Sequence, residues 1–230
     1  MIRNKLRHLK NLLRSLGKRH SYALNGLDTK LQPYINFRKG FFVEVGANDG
    51  VSQSNTLYFE KYMRWRGLLI EAIPELAAKC QKNRPGCIVE NCALVATDYP
   101  EETVGMQYCN LMSIVNGAMG GEEQDRAYIQ SGMKFIKSDE AVYEIDVPAR
   151  TLSWVLDKHR ITHVHLLSLD VEGYEAQVLR GLDLERHQPD YMLIEARCRS
   201  EIEAVIGDYY KPIAALSIYQ SHSDILYQKL

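Results

Sequence analysis

Residues 41–50 read Phe-Phe-Val-Glu-Val-Gly-Ala-Asn-Asp-Gly, and this stretch decides the fold of the chain. An apolar run that ends in an acid passes into a turn that carries Gly46 and Gly50. Buried strands of parallel sheets have this pattern, and ligands bind where such strands end. We therefore predict that residues 41–46 form the first strand of a parallel α/β sheet and that the turn after it lines a ligand site.

The spacing of this turn narrows the class of ligand. The turn lacks the central glycine of the G-x-G-x-x-G pattern, which lets backbone amides approach a pyrophosphate. Glu44, at the end of the strand, would repel a phosphate, but it suits a ligand with a positive centre and free hydroxyls. S-adenosylmethionine is such a ligand, whereas a nicotinamide dinucleotide is disfavoured.

Strands and helices alternate after this turn, as in a doubly wound sheet with helices on both faces. The tail reads as two strands joined by residues 220–223, which predicts a hairpin and at least one antiparallel strand at the end of the sheet. The predicted strands are 41–46, 67–71, 87–91, 164–169, 190–195, 212–218 and 223–229, and the predicted helices are 54–64, 74–83, 151–159, 174–181 and 200–207.

Residues 98–147 break this alternation. They hold Gly117, Gly120, Gly121 and Gly132, an acidic cluster and several aromatic residues, and long irregular segments in compact domains are usually lids or binding loops. We interpret them as an insertion that shapes the acceptor pocket of the domain, which we place at residues 40–230. The alternative is a surface excursion without catalytic consequence.

The lead-in, residues 1–39, begins with a basic amphipathic pattern. Apolar residues recur at helical spacing through residues 1–20, and this segment also holds seven lysines and arginines and no acid. Such a helix binds an anionic membrane surface or an acidic partner, or it covers an edge of the domain or of a second copy of the chain. We favour the covering role, which leaves both a homodimer and a peripheral membrane contact open.

Composition limits the protein class. The 230 residues are 46% hydrophobic and 25% charged, as in one globular α/β domain. Beyond the basic N-terminus, acids outnumber lysines and arginines by eight, which argues against nucleic acid as a partner. Five cysteines without a C-x-x-C pair indicate a reducing compartment, and no apolar run predicts a membrane span or a signal peptide. We expect a cytoplasmic protein.

Polar residues also follow the second and third predicted strands. Glu71 lies about 20 residues beyond the first turn. A carboxylate at that position accepts hydrogen bonds from the hydroxyls of a ribose. Ala72 comes next to Glu71. Asn91 and Ala93 could reach the edge of an adenine, although a simple turn at the strand end is the alternative.

The stretch 166–181, LLSLDVEGYEAQVLRG, delivers Asp170 and Glu172 to the same edge of the sheet. Two carboxylates so close can bind a cationic centre, orient a hydroxyl or hold a divalent ion. Glu195 ends the neighbouring strand and is a second candidate base or metal ligand, or else the ion-pair partner of a nearby arginine. His222, in the hairpin loop, is a further candidate base, although a lone histidine is more often structural.

Together these stretches resemble the FkbM family of S-adenosylmethionine-dependent methyltransferases. The resemblance covers roughly residues 40–196, and DVEG-x-E-x-x-VL-x-G is its most specific pattern. Ser168 departs from the family, which more often has lysine there. The resemblance implies a Rossmann-like, seven-stranded class I methyltransferase sheet and O-methylation, often of sugars or of polyketide and glycan hydroxyls. The stretches that carry it are VEVGANDG (43–50), LLIEAIPE (68–75), NCAL (91–94), PARTLSWVLD (148–157), LLSLDVEGYEAQVLRG (166–181) and PDYMLIEA (189–196).

The sequence thus predicts an O-methyltransferase that acts on a sugar hydroxyl in a glycan or glycolipid. The alternatives are O-methylation of a polyketide or another small natural product, and a binding module that keeps the fold without catalysis. The candidate catalytic residues are Asp170, Glu172, Glu195 and His222. The candidate S-adenosylmethionine-binding residues are Glu44, Gly46, Asn48, Asp49, Gly50, Glu71, Ala72, Asn91, Ala93 and Asp170, and a divalent metal, if bound, would be held by Asp170 and Glu195.

Overall fold

The computed structural model of the protein describes residues 20–136, 138 and 140–230. The predicted basic helix over residues 1–20 therefore lies outside the described residues, apart from His20. The strands are β1 (Phe41–Val45), β2 (Arg66–Ile70), β3 (Ile88–Glu90), β4 (Ala93–Leu94), β5 (Thr103–Tyr108), β6 (Ile114–Val115), β7 (Tyr143–Arg150), β8 (Leu166–Leu169), β9 (Tyr191–Ala196), β10 (Tyr210–Ile218) and β11 (Ser223–Lys229). The helices are α1 (Leu27–Lys30), α2 (Leu57–Met63), α3 (Pro74–Asn83), α4 (Glu122–Gly132), α5 (Leu152–Lys158), α6 (Glu175–Arg180) and α7 (Arg199–Ile206), with short 3-10 turns at Leu24–Gly26, Asn110–Met112 and Met133–Phe135.

Seven strands form the main sheet, in the order β10-β11-β9-β8-β1-β2-β3. The pairs β1–β2, β1–β8, β2–β3 and β8–β9 are parallel, while β11 runs antiparallel to both of its neighbours. The predicted doubly wound, mostly parallel sheet with an antiparallel C-terminal strand is confirmed. Because the strand order reverses between β1 and β8, the crevice outside their carboxyl ends is where such sheets bind ligands.

The local sequence explains why the helices begin where they do. Pro74 occupies the first turn of α3, where its fixed φ is favourable and its missing N–H is not needed. The Thr151 hydroxyl accepts a hydrogen bond of 3.1 Å from the backbone N–H of Trp154 and thereby caps α5. These caps fix how each strand end leads into the next helix.

Apolar side chains cover both faces of the main sheet. On one face Val43 and Leu167 belong to a buried cluster that includes residues of α5, α6 and α7. On the other face Phe42 and Leu69 belong to a cluster with residues of α1, α2 and α3. Tyr58 and Trp65 lie in the second cluster at 1% and 2% exposure and thus belong to the core.

The insertion at 98–147 is more regular than the sequence suggests. Strands β5, β6 and β7 pair with β4 into a four-stranded sheet, and α4 adds a helix of 11 residues. These elements escape prediction because β6 has only two residues and most positions of β7 are exposed or half-buried, so neither shows a clear apolar period. No helix in the described part of the chain is long and apolar enough to cross a membrane.

Candidate active site

A cavity of about 640 Å³ opens where β1, β2, β8 and β9 end, and it has the size of a small-molecule site. The two 3-10 turns of the insertion, helix α4 and the loop of the C-terminal hairpin also contribute to its lining. The predicted site residues that line it are Glu44, Gly46, Asn48, Glu71, Ala72, Ala93, Asp170, Glu172, Glu195 and His222. Asp49, Gly50 and Asn91 do not line it.

The first turn lies directly against the strand end that carries Asp170. Gly46 has a φ of +79°, and its N–H donates to the carbonyl of Ile70 at 3.0 Å. Asn48, with a φ of +50°, donates its backbone N–H to Oε2 of Glu71 at 2.7 Å. The turn is therefore fixed between the ends of three adjacent strands.

Glu44 is 4% exposed, and its carboxylate shapes the wall of the cavity. It accepts hydrogen bonds from the Ser54 hydroxyl at 2.9 Å, the Asn55 N–H at 2.8 Å and the Thr56 hydroxyl at 2.5 Å. Arg84 adds an ion pair at 3.8 Å. Glu44 thus holds residues 54–56 in place. A contact between Glu44 and the cofactor stays a prediction.

Asp49 and Gly50 hold the turn in place from outside the cavity. Oδ1 of Asp49 accepts the N–H groups of Val51 at 2.9 Å and Ser52 at 2.7 Å, which closes a local turn. Gly50 has a φ of +79°, and a Cβ there would lie 2.8 Å from Sγ of Cys80 in α3. Both residues therefore support the cavity wall.

Glu71 is buried at the end of β2 with both oxygens turned to backbone donors. Oε1 accepts the N–H of Ile73 at 2.9 Å and Oε2 that of Asn48 at 2.7 Å. Burial raises the pKa of Glu71, although these hydrogen bonds oppose the shift. Each oxygen keeps a lone pair for a ligand hydroxyl. Asn91 uses its amide differently from the prediction, because Nδ2 donates to the carbonyls of Glu71 and Ala72, both at 2.8 Å.

The four predicted catalytic residues come together at the inner end of the cavity. Asp170, Glu172 and Glu195 each place one carboxylate oxygen within 4.8 Å of the others. Burial raises the pKa of Asp170 well above its usual value, and repulsion from Glu195 and Glu172 adds to the shift. Burial and the charge of Glu172 likewise raise the pKa of Glu195 to about 8.

Arg197 and Tyr128 complete this cluster. Arg197 Nη2 pairs with Glu172 and lies 3.2 Å from Oε1 of Glu195. The Tyr128 hydroxyl donates to Glu172 and accepts from Arg197 Nη2 at 2.8 Å, while its ring lies 4.9 Å from the guanidinium carbon. Tyr128 belongs to α4 in the insertion, so no local pattern in the sequence links it to the site.

His222 enters the cavity from the C-terminal hairpin. Its Nε2 lies 3.5 Å from Oε2 of Glu195, and its Nδ1 lies 3.0 Å from the Ser221 hydroxyl. Burial and the neighbouring Arg197 lower the pKa of His222, which favours the neutral imidazole. The structure thus settles which side of the sheet the hairpin loop faces.

The donor set fits S-adenosylmethionine. The Asp170 carboxylate accepts no hydrogen bond from any described residue, and it lines the cavity beside the first turn. It is therefore free to face a positive centre, while Glu71 keeps lone pairs for a ribose. The three carboxylates of Asp170, Glu172 and Glu195 could also hold a metal ion. Arg197, however, already supplies a cation to two of them.

Residues 44–215 match the model of the FkbM methyltransferase domain. The chain belongs to the FkbM methyltransferase family. This FkbM protein therefore uses S-adenosylmethionine as its cofactor, as the sequence and the donor set of the cavity predict.

One solved FkbM structure shows the same fold, and a second solved methyltransferase is similar to this chain. The methyltransferase FkbM from Methylobacillus flagellatus KT is 16% identical with a TM-score of 0.51, and the match covers 85% of this chain and 45% of that one. This chain thus spans about half the length of that protein. A TehB-like SAM-dependent methyltransferase from Corynebacterium glutamicum is 10% identical with a TM-score of 0.45, over 99% of this chain and 97% of that chain. No curated protein is significantly similar to the chain in sequence.

Proposed function

We propose that this FkbM protein is an O-methyltransferase that methylates a hydroxyl of a sugar in a glycan or glycolipid. The observation that carries the proposal is the convergence of Asp170, Glu195 and His222 on one cavity at the switch point of the sheet. One part of the cavity has groups for the cofactor, and the adjacent part has groups that accept a proton.

The cofactor half is built from Gly46, Glu71 and Asp170. When bound, S-adenosylmethionine supplies an electrophilic methyl group. Burial raises the pKa of Asp170, and a positive centre beside it would lower that pKa and stabilise the carboxylate. Glu71 accepts ribose hydroxyls on its remaining lone pairs. Gly46 keeps the backbone close enough for both contacts.

The acceptor half contains Glu195 and His222. Oε1 of Glu195 is buried and makes no hydrogen bond to a described residue, although Nη2 of Arg197 lies 3.2 Å away, so it keeps a lone pair for the proton of an incoming hydroxyl. A carboxyl group with a pKa of about 8 is matched to general-base work near neutral pH. The neutral imidazole of His222 lies 3.5 Å from Oε2 of Glu195 and can accept a hydrogen bond from the protonated carboxyl group.

A sugar fits the remaining polar groups better than an apolar natural product does. Asn110, Ser113, Ser131 and Ser221 also line the cavity. Neutral amides and hydroxyls at several points can each pair with one hydroxyl of a polyhydroxylated ligand. Each of these groups already has one partner inside the protein, and each can form a further hydrogen bond with a ligand hydroxyl, which an apolar polyketide would supply at fewer points.

The proposal is tested in two steps. Calorimetry with S-adenosylhomocysteine should show binding that Glu71→Gln and Asp170→Asn each weaken at least about tenfold, the loss expected for a hydrogen bond to a charged group. Labelled S-adenosylmethionine with a panel of sugars, glycans and macrolides should then give methylated sugars. Absence of S-adenosylhomocysteine binding would support the non-catalytic alternative, and methylation of macrolides alone would support the polyketide alternative.

Two further properties of the protein are its cellular compartment and its macromolecular partners. We infer that the protein acts in the cytoplasm without binding nucleic acid and that residues 1–20 cover a domain edge or a second copy of the chain. Light scattering of the full chain and of a chain that lacks residues 1–20 tests the dimer. Flotation with anionic liposomes tests the membrane contact, and equal flotation of both chains would contradict it.

A further inference from the structure

The cavity is strongly acidic and its one arginine is already paired. Among the described residues that line it, no lysine occurs, and the arginine is Arg197. Its Nη2 contacts Glu172, Glu195 and Tyr128. The acids that line the cavity are Glu44, Glu71, Asp170, Glu172, Glu195 and Asp224.

This charge distribution disfavours an anionic acceptor. Proteins bind phosphate groups with arginine forks, lysines or free backbone N–H groups. In the described lining the guanidinium is shared between two carboxylates, and the other charged groups would repel a phosphate. A nucleotide-linked or phosphorylated sugar would therefore be held by none of these charges, whereas a neutral sugar can donate its hydroxyl protons to the carboxylates.

The mouth of the cavity carries apolar side chains. Leu24 and Phe135 line the cavity and yet are 49% and 44% exposed, which places them at its opening. Leu111 and Met112, both half-buried, lie along the same wall. The other exposed residues of the lining are all uncharged, namely Gly46, Ser52, Gln53, Ser131 and Ser221. Large apolar groups exposed at the rim of a ligand site mark a surface for an apolar part of the ligand.

We propose that the acceptor is an electrically neutral glycoside with an apolar aglycone, its sugar at the acidic inner end and its aglycone against Leu24 and Phe135. This inference rests on the proposed function and names the substrate class of that site. It excludes sugar phosphates and nucleotide sugars as the form in which the sugar is methylated.

Matched acceptors test the charge and the aglycone separately. For each of several hexoses, the full chain is given the octyl glycoside below its micelle concentration, the free hexose and the hexose 1-phosphate. Labelled S-adenosylmethionine reports kcat/KM, and calorimetry on the protein saturated with S-adenosylhomocysteine reports acceptor affinity. We expect kcat/KM and affinity to be about tenfold higher for the octyl glycoside than for the free hexose, because the alkyl chain is partly buried. Both quantities should be lower for the hexose 1-phosphate than for the free hexose. A preference for the phosphate or for a nucleotide sugar would overturn the proposal.

Two variants in one turn test the role of the mouth. Phe135→Ala should lower the ratio of kcat/KM for the octyl glycoside to kcat/KM for the free hexose towards one. Met133→Ala is the matched control, because Met133 lies in the same 3-10 turn, is 57% exposed and does not line the cavity. If Phe135→Ala lowered the melting temperature but kept the preference, the mouth would seat a segment of the same chain, such as residues 1–19, and the proposal would fail.

S-adenosylhomocysteine binding separates this inference from the proposed function. Loss of that binding, with no methylation of any probe, would contradict the proposed function itself. Binding together with methylation of phosphorylated sugars alone would contradict only the inference about the neutral acceptor.

Discussion

A Cβ atom at position 46 would lie 1.9 Å from the carbonyl oxygen of Asp170. The first turn and the DVEG motif, which sequence analysis identifies separately, therefore lie in direct contact. They meet at the switch point of the sheet because β1 and β8 are parallel neighbours, with Val45 opposite Leu169. The absence of a side chain at Gly46 is thus a condition for the cavity, as well as for the turn.

Gly46→Ala should therefore weaken S-adenosylhomocysteine binding at least about tenfold and lower the melting temperature. The alanine Cβ would collide with backbone, which has to move away from the cofactor half of the cavity. Gly117→Ala is the matched control, because Gly117 also has a positive φ, +86°, but nothing lies within 4 Å of its Cβ position. Both variants carry a left-handed penalty of about 1–2 kcal/mol, so a difference between them isolates the collision. Equal binding by the two variants would contradict the prediction.

The hydroxyl of Tyr128 links the insertion to the catalytic end of the main sheet. Tyr128→Phe removes the hydrogen bonds to Glu172 and Arg197 but keeps the ring under the guanidinium. We expect kcat/KM for the acceptor to fall about tenfold, because a hydrogen bond to a charged group contributes about 1.5–3 kcal/mol. S-adenosylhomocysteine affinity should stay unchanged, since the cofactor half does not contact Tyr128.

Tyr143→Phe is the control for this variant. The Tyr143 hydroxyl also bonds a glutamate, Glu75, at 3.1 Å, but it lies on β7 and does not line the cavity. Its loss should leave kcat/KM as it is. A drop of equal size in both variants would mean that the tyrosines act through the stability of the insertion.

The main sheet can be predicted from the sequence because its central parallel strands are buried and therefore apolar. Strand β8 is buried at all four positions and β1 at four of five, so each appears as a short apolar run. Acids that directly follow such runs must lie at one edge of the sheet. Asp170 and Glu195 therefore could be assigned to a common site without any structure.

Contacts that depend on tertiary position could not be predicted. Tyr128 reaches Glu172 across 44 residues of sequence, from an insertion in which β6 has only two residues and β7 shows no clear apolar period. Asn91 and Asp49 have residue types that suit ligand contacts, yet they bind backbone groups of the walls. A polar residue in a turn can bind either a ligand or a backbone group of the turn, and sequence spacing does not distinguish between the two.

Arg197 should make the carboxylate cluster independent of a divalent metal. It pairs with Glu172 and approaches Glu195, so it already supplies the positive charge that a metal ion would bring. Dialysis against EDTA is expected to leave methyl transfer unchanged. Loss of activity on dialysis, restored by Mg²⁺ or Mn²⁺, would contradict this.

The same ion pairs predict that Arg197→Met destabilises the fold. Two half-buried carboxylates would lose their cation, which costs roughly 3 kcal/mol. Arg199→Met is the control, because Arg199 pairs with Glu203 at the surface, where such pairs contribute little. Urea denaturation of both variants measures the difference, and equal stability of the two variants would argue that the Arg197 pairs are solvent-screened.

The raised pKa of Glu195 predicts how the rate depends on pH. If Glu195 takes the proton of the acceptor, kcat/KM should rise with pH and level off above about pH 8, where the carboxyl group is ionised. Glu195→Gln should lower kcat by about 10²-fold or more and flatten the profile. Glu185→Gln, an exposed glutamate outside the cavity, should change neither. A Glu195→Gln enzyme with the profile of the unchanged protein would shift the role of base to His222.

The free energy of unfolding should also depend on pH, and the direction of the pKa shift of Glu195 determines whether it rises or falls. Burial raises the pKa of Glu195 from 4.5 to about 8, so between these values the folded protein holds a proton that the unfolded chain releases. The contribution of Glu195 to the free energy of unfolding is therefore fully present below pH 4.5 and is lost as the pH rises to 8. Glu195→Gln cannot ionise, so its melting temperature relative to the unchanged protein should increase from pH 5 to pH 8.

Glu90→Gln should show the opposite trend. Burial alone would raise the pKa of Glu90, but hydrogen bonds from Lys158 and His159 outweigh it and lower the pKa below 4.5. The stabilisation by Glu90 is then present above that value and is lost as the pH falls, so the variant should be most destabilised near neutral pH. Differential scanning calorimetry of both variants at several pH values measures the two slopes. Parallel slopes would show that the carboxyl group of Glu195 is not held in its protonated form by burial.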